Sequence, residues 1–144
     1  MSPIRFFYIE KTSVLRHRNK LKRFLESKAQ NHGRVIDDLN IIFCSDEYLL
    51  SINKNFLQHD YYTDIITFEL SDKDSPVIQA ELYISLDRVI DNAHQLGVSI
   101  KQELHRVIFH GLLHLLGFKD KTIKDQQLMR SMEELFLRDY SFYV

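Results

Sequence analysis

The chain has 144 residues, of which 44% are hydrophobic and 12% aromatic, and its formal net charge is −1. This length and composition predict one globular domain over residues 1–144 and exclude a disordered chain. No apolar run approaches the roughly 18 residues of a membrane span, and residues 1–8 lack the apolar segment of a secretory signal. The single cysteine, Cys44, ends an apolar run, which predicts a core position in a protein of the reducing cytoplasm.

The residue pattern predicts four strands and five helices, and therefore an α+β domain. The strands are short apolar, aromatic or β-branched runs at Ile4–Ile9, Leu39–Cys44, Asp64–Leu70 and Val77–Ser85. The predicted helices run from an N-cap at Ser13 to about Asn31, from Ser45 to about Leu57, and over Leu86–Leu96, Ser99–Leu116 and Lys124–Leu137. In the last helix we expect Leu128, Met132 and Leu135 to face inward.

The charges are distributed unevenly along the chain. Residues 11–34 contain eight Lys or Arg and one acid, whereas residues 35–100 contain three Lys or Arg and twelve acids. In the first predicted helix, Arg16, Lys20 and Arg23 recur at helical spacing opposite the apolar side. They form either a solvated face or a stripe that contacts nucleic-acid phosphates.

The most informative residues lie at the end of the fourth predicted helix. His110 and His114 are four residues apart, so on a helix they share one face and are able to bind one metal ion. Gly117 permits the chain to reverse, and the reversal can return Asp120, an acceptable oxygen ligand for zinc, beneath the two imidazoles. Because two unpaired imidazoles are costly in an apolar helix, this pattern predicts a metal site.

The same stretch resembles the YbeY family of rRNA-maturation endoribonucleases, whose signature is H-G-x-L-H-L-x-G-[YF]. The resemblance covers roughly residues 35–134 and keeps the order and spacing of the family's motifs. Its other parts are Ile52-Asn53, Phe56, Asp60, Thr63 to Phe68, Ala80 to Ser85, Asn92-Ala93 and Glu103-Leu104.

The resemblance implies a fold, an activity and partners. The fold is a single α+β domain with a small mixed four-stranded sheet, about five helices and a metal site at the end of a central helix. The activity is metal-dependent, single-strand-selective RNA cleavage, in 16S rRNA 3′-end maturation and ribosome quality control, with one zinc or other divalent ion per chain. The partners are rRNA and the small ribosomal subunit, with ribosomal proteins or a ribosome-assembly GTPase, in a bacterial cytoplasm and without a membrane.

The chain departs from the family at two functional positions. The third metal ligand of the family is usually His, and here it is Asp120; the Arg that is proposed for catalysis corresponds to Leu57. His59 is a candidate replacement for that cation; the alternative is that it has only a structural or surface role. Lys119 and Lys121 flank the proposed ligand Asp120.

Four further residues are considered for a role near the proposed metal site. Asp64 either orients a metal-ligating imidazole or accepts a hydrogen bond from a neighbouring turn. We expect His105 to lie off the face of His110 and to be no ligand, and Arg130 and Glu133 to support the last helix.

Two other functions compete with RNA cleavage. A zinc metallopeptidase would share the histidine spacing, but Gly111 stands where such enzymes carry their general-base Glu. A ribosome-associated binding factor with a structural metal and little catalysis is favoured by the missing Arg. Only three ligands are evident, which favours an open, catalytic site over a structural one.

Overall fold

The computed structural model of the protein describes residues 2–9 and 15–143, and these form four strands and five helices. The strands are β1 Ile4–Tyr8, β2 Val35–Cys44, β3 Ile65–Glu69 and β4 Val77–Ser85. The helices are α1 Arg18–Asn31, α2 Asp46–Leu57, α3 Leu86–Leu96, α4 Ile100–Leu115 and α5 Ile123–Phe142. The α+β class, the number of elements and the position of most of them are therefore as the sequence predicts.

The four strands form one mixed sheet in the order β1-β2-β4-β3. Strand β2 pairs in parallel with both β1 and β4, whereas β3 pairs with β4 in the antiparallel direction. The small mixed sheet that the resemblance implies is thus confirmed. Because β3 and β4 follow each other along the chain, their connection at residues 70–76 lies at one end of the sheet.

Helix α4 lies against the sheet, and α1 and α5 pack around it. Phe24 of α1, Phe109 of α4 and Phe136 of α5 meet with ring centroids 5.3 to 6.1 Å apart, which ties the three helices into one core. A smaller cluster of Cys44, Leu49, Ile52 and Ile66 involves α2. Cys44 is fully buried, as its place in an apolar run predicts.

The predicted start of the first helix is wrong. Helix α1 begins at Arg18, because His17 adopts left-handed backbone angles (φ 57°, ψ 45°) that a right-handed helix cannot include. The predicted N-cap, Ser13, lies outside the described residues. Arg16 precedes the helix, so Arg16, Lys20 and Arg23 do not form one helical stripe.

Two further expectations, the start of β2 and the extent and inward face of α5, are corrected by the structure. Strand β2 begins at Val35 rather than Leu39, because a bulge between Ile36 and Asp38 breaks the alternation of its first half. Helix α5 continues to Phe142, and its inward side chains are Met129, Glu133, Phe136 and Tyr140. Leu128, which was expected to face inward, is 52% exposed, because the buried face of the helix runs along Met129, Glu133, Phe136 and Tyr140. Met132 packs against the core as expected.

Among the described residues, no helix combines the length and the apolar character that crossing a bilayer requires.

Candidate metal centre

Helix α4 presents both histidines of the predicted site from one face. The helix begins at the N-cap Ser99, whose hydroxyl accepts a hydrogen bond from the backbone N–H of Gln102. One turn of helix separates His110 from His114, and their rings are 4.6 Å apart between centroids and nearly perpendicular. Both side chains are partly exposed, at 18% and 27%, so the pair opens to solvent rather than into the core.

The end of α4 returns the chain toward these imidazoles. Gly117 has φ 101°, its N–H donates to the carbonyl of His114, and the N–H of Phe118 donates to that of Leu113. This is the Schellman arrangement, and its positive φ favours glycine. Three residues later, Asp120 Oδ2 lies 3.1 Å from Nε2 of His114 and 3.5 Å from Nε2 of His110. The structure therefore brings together the three residues that the sequence predicts as ligands.

The spacing of the three donor atoms fits a tetrahedral metal ion. Ligand atoms from His110, His114 and Asp120 all lie within 4.8 Å of one another. Ligands at about 2.0–2.2 Å from a tetrahedral zinc ion are separated from one another by roughly 3.3–3.6 Å. The two distances from Asp120 Oδ2 are close to that spacing, and two imidazoles with one carboxylate are a donor set that zinc accepts. Three protein ligands leave a fourth position for water or substrate.

Glu133 of α5 holds His110 in place. Its Oε2 lies 2.5 Å from Nδ1 of His110, and since a carboxylate only accepts, the imidazole donates from Nδ1. Nε2 is the ring nitrogen that faces Asp120. Glu133 is 2% exposed. From the sequence, Glu133 was expected only to support the last helix. Its spacing from Met129 and Phe136, four and three residues away on the inward face, could have identified it as a buried carboxylate.

Arg106, one turn before His110, neutralises the carboxylates around it. Its guanidinium bonds Glu103 at 2.6 and 2.8 Å and Glu133 at 2.9 Å, and lies 3.7 Å from Asp64. Burial raises the pKa of Glu133, but the hydrogen bond with His110 and the charge of Arg106 outweigh it, so the net shift is downward. Burial likewise raises the pKa of Asp64, and there Arg106 offsets only part of the effect.

Asp64 contacts this network rather than an imidazole. Its Oδ2 lies 3.4 Å from the amide nitrogen of Asn92, which donates, and the hydrogen bond to His110 comes from Glu133 instead. Asp64 nevertheless lines the same cavity as His110 and His114. Its link to the imidazole of His110 therefore passes through Arg106 and Glu133.

Three cavities meet at the histidines and Asp120. The first, which we call the entry cavity, has a volume of about 490 Å³ and includes Thr63, Asp64, Thr67 and Lys73 in its wall. The second, the lysine cavity, has a volume of about 430 Å³ and includes Lys73, Lys119 and Lys121. The third, the arginine cavity, has a volume of about 250 Å³ and includes Arg106 and Arg130. All three contain Asp120, so an extended substrate can approach the centre from more than one side.

Gly111 of α4 packs against the sheet, at Ile65 of β3 and Leu82 of β4. A Cβ at this position would lie 2.8 Å from Cδ1 of Ile65 and 2.9 Å from Cδ1 of Leu82. A side chain at this position would therefore require the ends of Ile65 and Leu82 to shift. The general-base Glu of H-E-x-x-H peptidases is absent here, and introducing it would disturb this packing.

Other predicted residues lie away from the centre. His59 is exposed, stacks on Tyr61 and shares a hydrogen bond with its hydroxyl, and it is in the wall of none of the three cavities formed by the described residues. Leu57 ends α2 and is 39% exposed. His105 is buried and donates from Nδ1 to the carbonyl of Lys101, consistent with the expectation that it is no ligand.

The basic residues of the first segment are likewise remote from the three ligands. Arg16 and Arg23 are exposed. Lys20 places its ammonium 4.6 Å from the ring centroid of Tyr140, a contact that fixes its side chain on α5.

Comparison with known proteins gives one consistent family. The family described as Endoribonuclease YbeY matches residues 8–141. The chain is similar to proteins named Endoribonuclease YbeY from Cytophaga hutchinsonii, at 50% identity over 92% of each chain, and from Porphyromonas gingivalis, at 44% identity over 89% of this chain and 84% of that one. A protein of the same name from Christiangramia forsetii is 41% identical over 89% of this chain and 88% of that one.

A solved structure supports the fold independently. The solution structure of a Thermotoga maritima protein superposes with a TM-score of 0.65, covering 95% of this chain and 88% of that one. The two sequences are 24% identical, so the likeness concerns the fold.

Proposed function

This chain belongs to the YbeY endoribonuclease family, and from that premise we propose that it is a metal-dependent endoribonuclease that cleaves single-stranded RNA. The observation that most supports the proposal is the convergence of His110 Nε2, His114 Nε2 and Asp120 Oδ2 at the meeting point of three open cavities. A phosphodiester chain can cross such a site without being enclosed. The three donor atoms would hold the ion, which we propose is zinc.

The chemistry of the site divides between the ion and the chain's own residues. When bound, a divalent ion supplies Lewis acidity toward a phosphate oxygen and lowers the pKa of a water molecule. Glu133 fixes the orientation of His110, and Arg106 keeps Glu133 ionised and in place. Asp120 adds one negative charge to the ligand set, which makes the bound ion a weaker Lewis acid than three neutral imidazoles would.

We further propose the setting that the family implies. The substrate is rRNA, with maturation of the 3′ end of 16S rRNA and ribosome quality control as its role in the bacterial cytoplasm. The partners are the small ribosomal subunit together with ribosomal proteins or a ribosome-assembly GTPase. These assignments depend on membership of the family and are tested by cleavage of precursor rRNA in purified small subunits.

Three basic residues and His59 complete the proposal. Arg16, Lys20 and Arg23 are proposed to steer RNA, and their joint replacement by Ala should weaken RNA binding at all sequences and flatten its salt dependence. Unchanged binding would make them a solvated surface. His59 is proposed as the substitute for the Arg that is missing at Leu57, and an unchanged rate of cleavage in His59→Ala would exclude it.

The decisive experiment is removal and return of the metal. Protein stripped by a chelator should lose cleavage of a single-stranded RNA, and stoichiometric zinc should restore it. An Asp120→Ala protein should not recover RNA cleavage under the same conditions. The control is Asp125→Ala, which removes a carboxylate in the first turn of α5 and should recover cleavage fully. Cleavage by metal-free protein from a nuclease-free preparation would refute the proposal.

The two competing functions give different results in the same assays. Peptide hydrolysis is disfavoured because Gly111 stands where H-E-x-x-H peptidases carry their general-base Glu, and casein hydrolysis that follows the purified protein would revive it. A binding factor would associate tightly with ribosomes yet cleave no RNA. Chelator-induced unfolding would separately reveal a structural contribution of the metal.

A further inference from the structure

Three lysines from two separate loops converge on the lysine cavity. Lys73 belongs to the connection between β3 and β4, and Lys119 and Lys121 flank Asp120 in the connection between α4 and α5. All three are exposed. Within residues 2–9 and 15–143, none of them has a hydrogen bond or an ion pair with another side chain. Their positive charges are therefore available to a ligand.

The other cations near the centre are already engaged by carboxylates. Arg34, in the wall of the same cavity, pairs with Glu69 at 2.8 Å. In the arginine cavity, Arg106 is bonded to two glutamates, and Arg130 Nε lies 3.9 Å from Glu133. Among the described residues, the cations around the metal centre that have no direct carboxylate partner therefore lie on the lysine side, although Asp120 lies between two of them and Asp72 and Asp74 flank the third. We expect an anionic chain to be attracted to these ammonium groups more strongly than to the paired arginines.

Arg34 also fixes the distance between the two lysine-bearing loops. Its guanidinium donates to the carbonyls of Asp72, Ser75 and Val77 in and beside the β3–β4 connection. It also donates to the carbonyl of Leu115, the last residue of α4, at 2.6 Å. Because Arg34 is 8% exposed, this clamp is shielded from solvent. Lys73 is thus held opposite Lys119 and Lys121 by a buried side chain rather than by chance approach of mobile loops.

The shape of the cavity suits a nucleotide. Its volume of about 430 Å³ lies within the range of about 300–1,000 Å³ that is usual for small-molecule sites. Leu116 and Phe118 supply apolar wall, against which a base or ribose can pack. His114 and Asp120 belong to both this wall and the metal centre, so a group in the cavity lies directly beside the proposed point of cleavage.

We propose that the lysine cavity is the subsite for the nucleotide that adjoins the cleaved bond, and that Lys73, Lys119 and Lys121 contact the phosphate of that nucleotide. This inference rests on the proposed endoribonuclease function and adds to it a direction: the strand is held on one side of the metal centre more strongly than on the other.

The test combines lysine variants with neutral linkages in the substrate. A single-stranded RNA with one mapped cleavage site is prepared with one methylphosphonate, which has no charge, at each successive position around that site. In the wild-type protein, kcat/KM should fall most at one position next to the cleaved bond. In the triple variant Lys73→Ala, Lys119→Ala, Lys121→Ala, that position should lose its special effect, because the contact is already absent.

Salt dependence gives a second readout that does not require cleavage. Because the three lysines contact one phosphate, and about 0.7 counterions are released per neutralised phosphate of a single strand, the triple variant should lower the slope of log Kd against log salt by about 0.7. Lys124→Ala, which removes an exposed lysine outside the cavity, should leave the positional effect unchanged. The metal content of each variant is measured as well, since two of the lysines flank Asp120.

The outcomes separate this inference from the function on which it rests. Equal effects of every methylphosphonate in wild-type and triple-variant protein would overturn the subsite while leaving RNA cleavage intact. A lysine-dependent salt slope without any cleavage by the zinc-loaded wild type would overturn the proposed function and keep the lysine contacts. If the triple variant bound RNA with the affinity and the salt dependence of the wild type, the proposed subsite would be overturned directly.

Discussion

Glu133 on α5 accepts a hydrogen bond from Nδ1 of His110 on α4, and the two atoms are 2.5 Å apart. The bond fixes the ring orientation and the tautomer of the imidazole, so that Nε2 is the nitrogen available to a metal. Arg106 bonds the other oxygen of the same carboxylate at 2.9 Å. The packing of α5 against α4 therefore determines the geometry of the metal centre.

Replacing Glu133 by Gln should weaken metal binding without removing a ligand. The amide keeps the shape of the side chain but loses its charge, so it no longer favours the Nδ1-protonated imidazole as strongly. We expect zinc affinity to fall about 10- to 100-fold, as is typical for partners of ligating histidines. A competition titration against a chelating dye measures the change, and the nitrogen chemical shifts of His110 report its tautomer.

The exposed neighbour Glu134 supplies the control for this substitution. Glu134→Gln should retain wild-type affinity and the wild-type tautomer of His110. If Glu133→Gln lost stability but kept both properties, Glu133 would serve only to hold α5 in place.

The convergence of the three candidate ligands could be predicted from the sequence, whereas the residues that hold them in place could not. His110 and His114 are four residues apart on a recognisable helix, and Gly117 marks where the chain reverses, so the approach of Asp120 to the two imidazoles follows from local spacing. Glu133 is 23 residues beyond His110, and its contact depends on how two helices pack. Local periodicity alone placed the exposed Leu128 on the inward face of α5 and missed the buried Glu133, although Met132 packs against the core as expected.

The lysine cavity likewise depends on contacts between segments that are distant in the sequence. Lys119 and Lys121 lie next to a predicted ligand, but Lys73 comes from another loop and is brought there by the buried clamp of Arg34. Conversely, the basic stripe of the first segment failed as a helical pattern because a single left-handed residue, His17, delays the start of α1. Neither effect leaves a periodic trace in the sequence.

Replacing Asp120 tests the third ligand. Asp120→Ala leaves two imidazoles, which should hold zinc at least about tenfold less tightly. Asp120→His should retain zinc and shift the pH profile of RNA cleavage downward, because a neutral ligand leaves the ion a stronger Lewis acid. Metal content after dialysis and the pH dependence of kcat measure the two effects. Equal retention of zinc by wild-type protein and Asp120→Ala would show that Asp120 merely caps the turn.

Substitution at Gly111 tests the packing that separates this site from a peptidase site. Gly111→Ala adds a methyl group against Ile65 and Leu82, and the overpacking should exceed the gain in helix propensity by about 1 kcal/mol. Gly111→Glu also buries a carboxylate, and should lower the free energy of unfolding by more than about 3 kcal/mol. Urea unfolding followed by circular dichroism measures both. A Gly111→Glu protein as stable as the wild type would show that α4 can move away from the sheet.

His105 should make the protein less stable in mild acid. Its ring is stacked on Tyr140 at 5.0 Å between centroids, and its Nε2 is buried without a hydrogen-bond partner among the described residues. Burial lowers the pKa of His105, with smaller contributions from the charges of Lys101 and Lys20, and the hydrogen bond to the Lys101 carbonyl opposes the shift. The unfolded chain therefore binds a proton at a higher pH than the folded one does.

The sign of the pH effect follows from this difference. Above about pH 6.5, the ordinary pKa of histidine, His105 is neutral in both states and contributes no pH dependence. As the pH falls through 6.5 toward the lower folded pKa, the unfolded state gains protons first and stability declines. His105→Phe keeps the stacking on Tyr140 and removes the titrating group, so its melting temperature should fall less between pH 7.5 and pH 5 than that of the wild type. His94→Gln, an exposed histidine of α3, should track the wild type. Parallel pH curves for His105→Phe and the wild type would mean that the folded protein admits a proton to His105 at no cost.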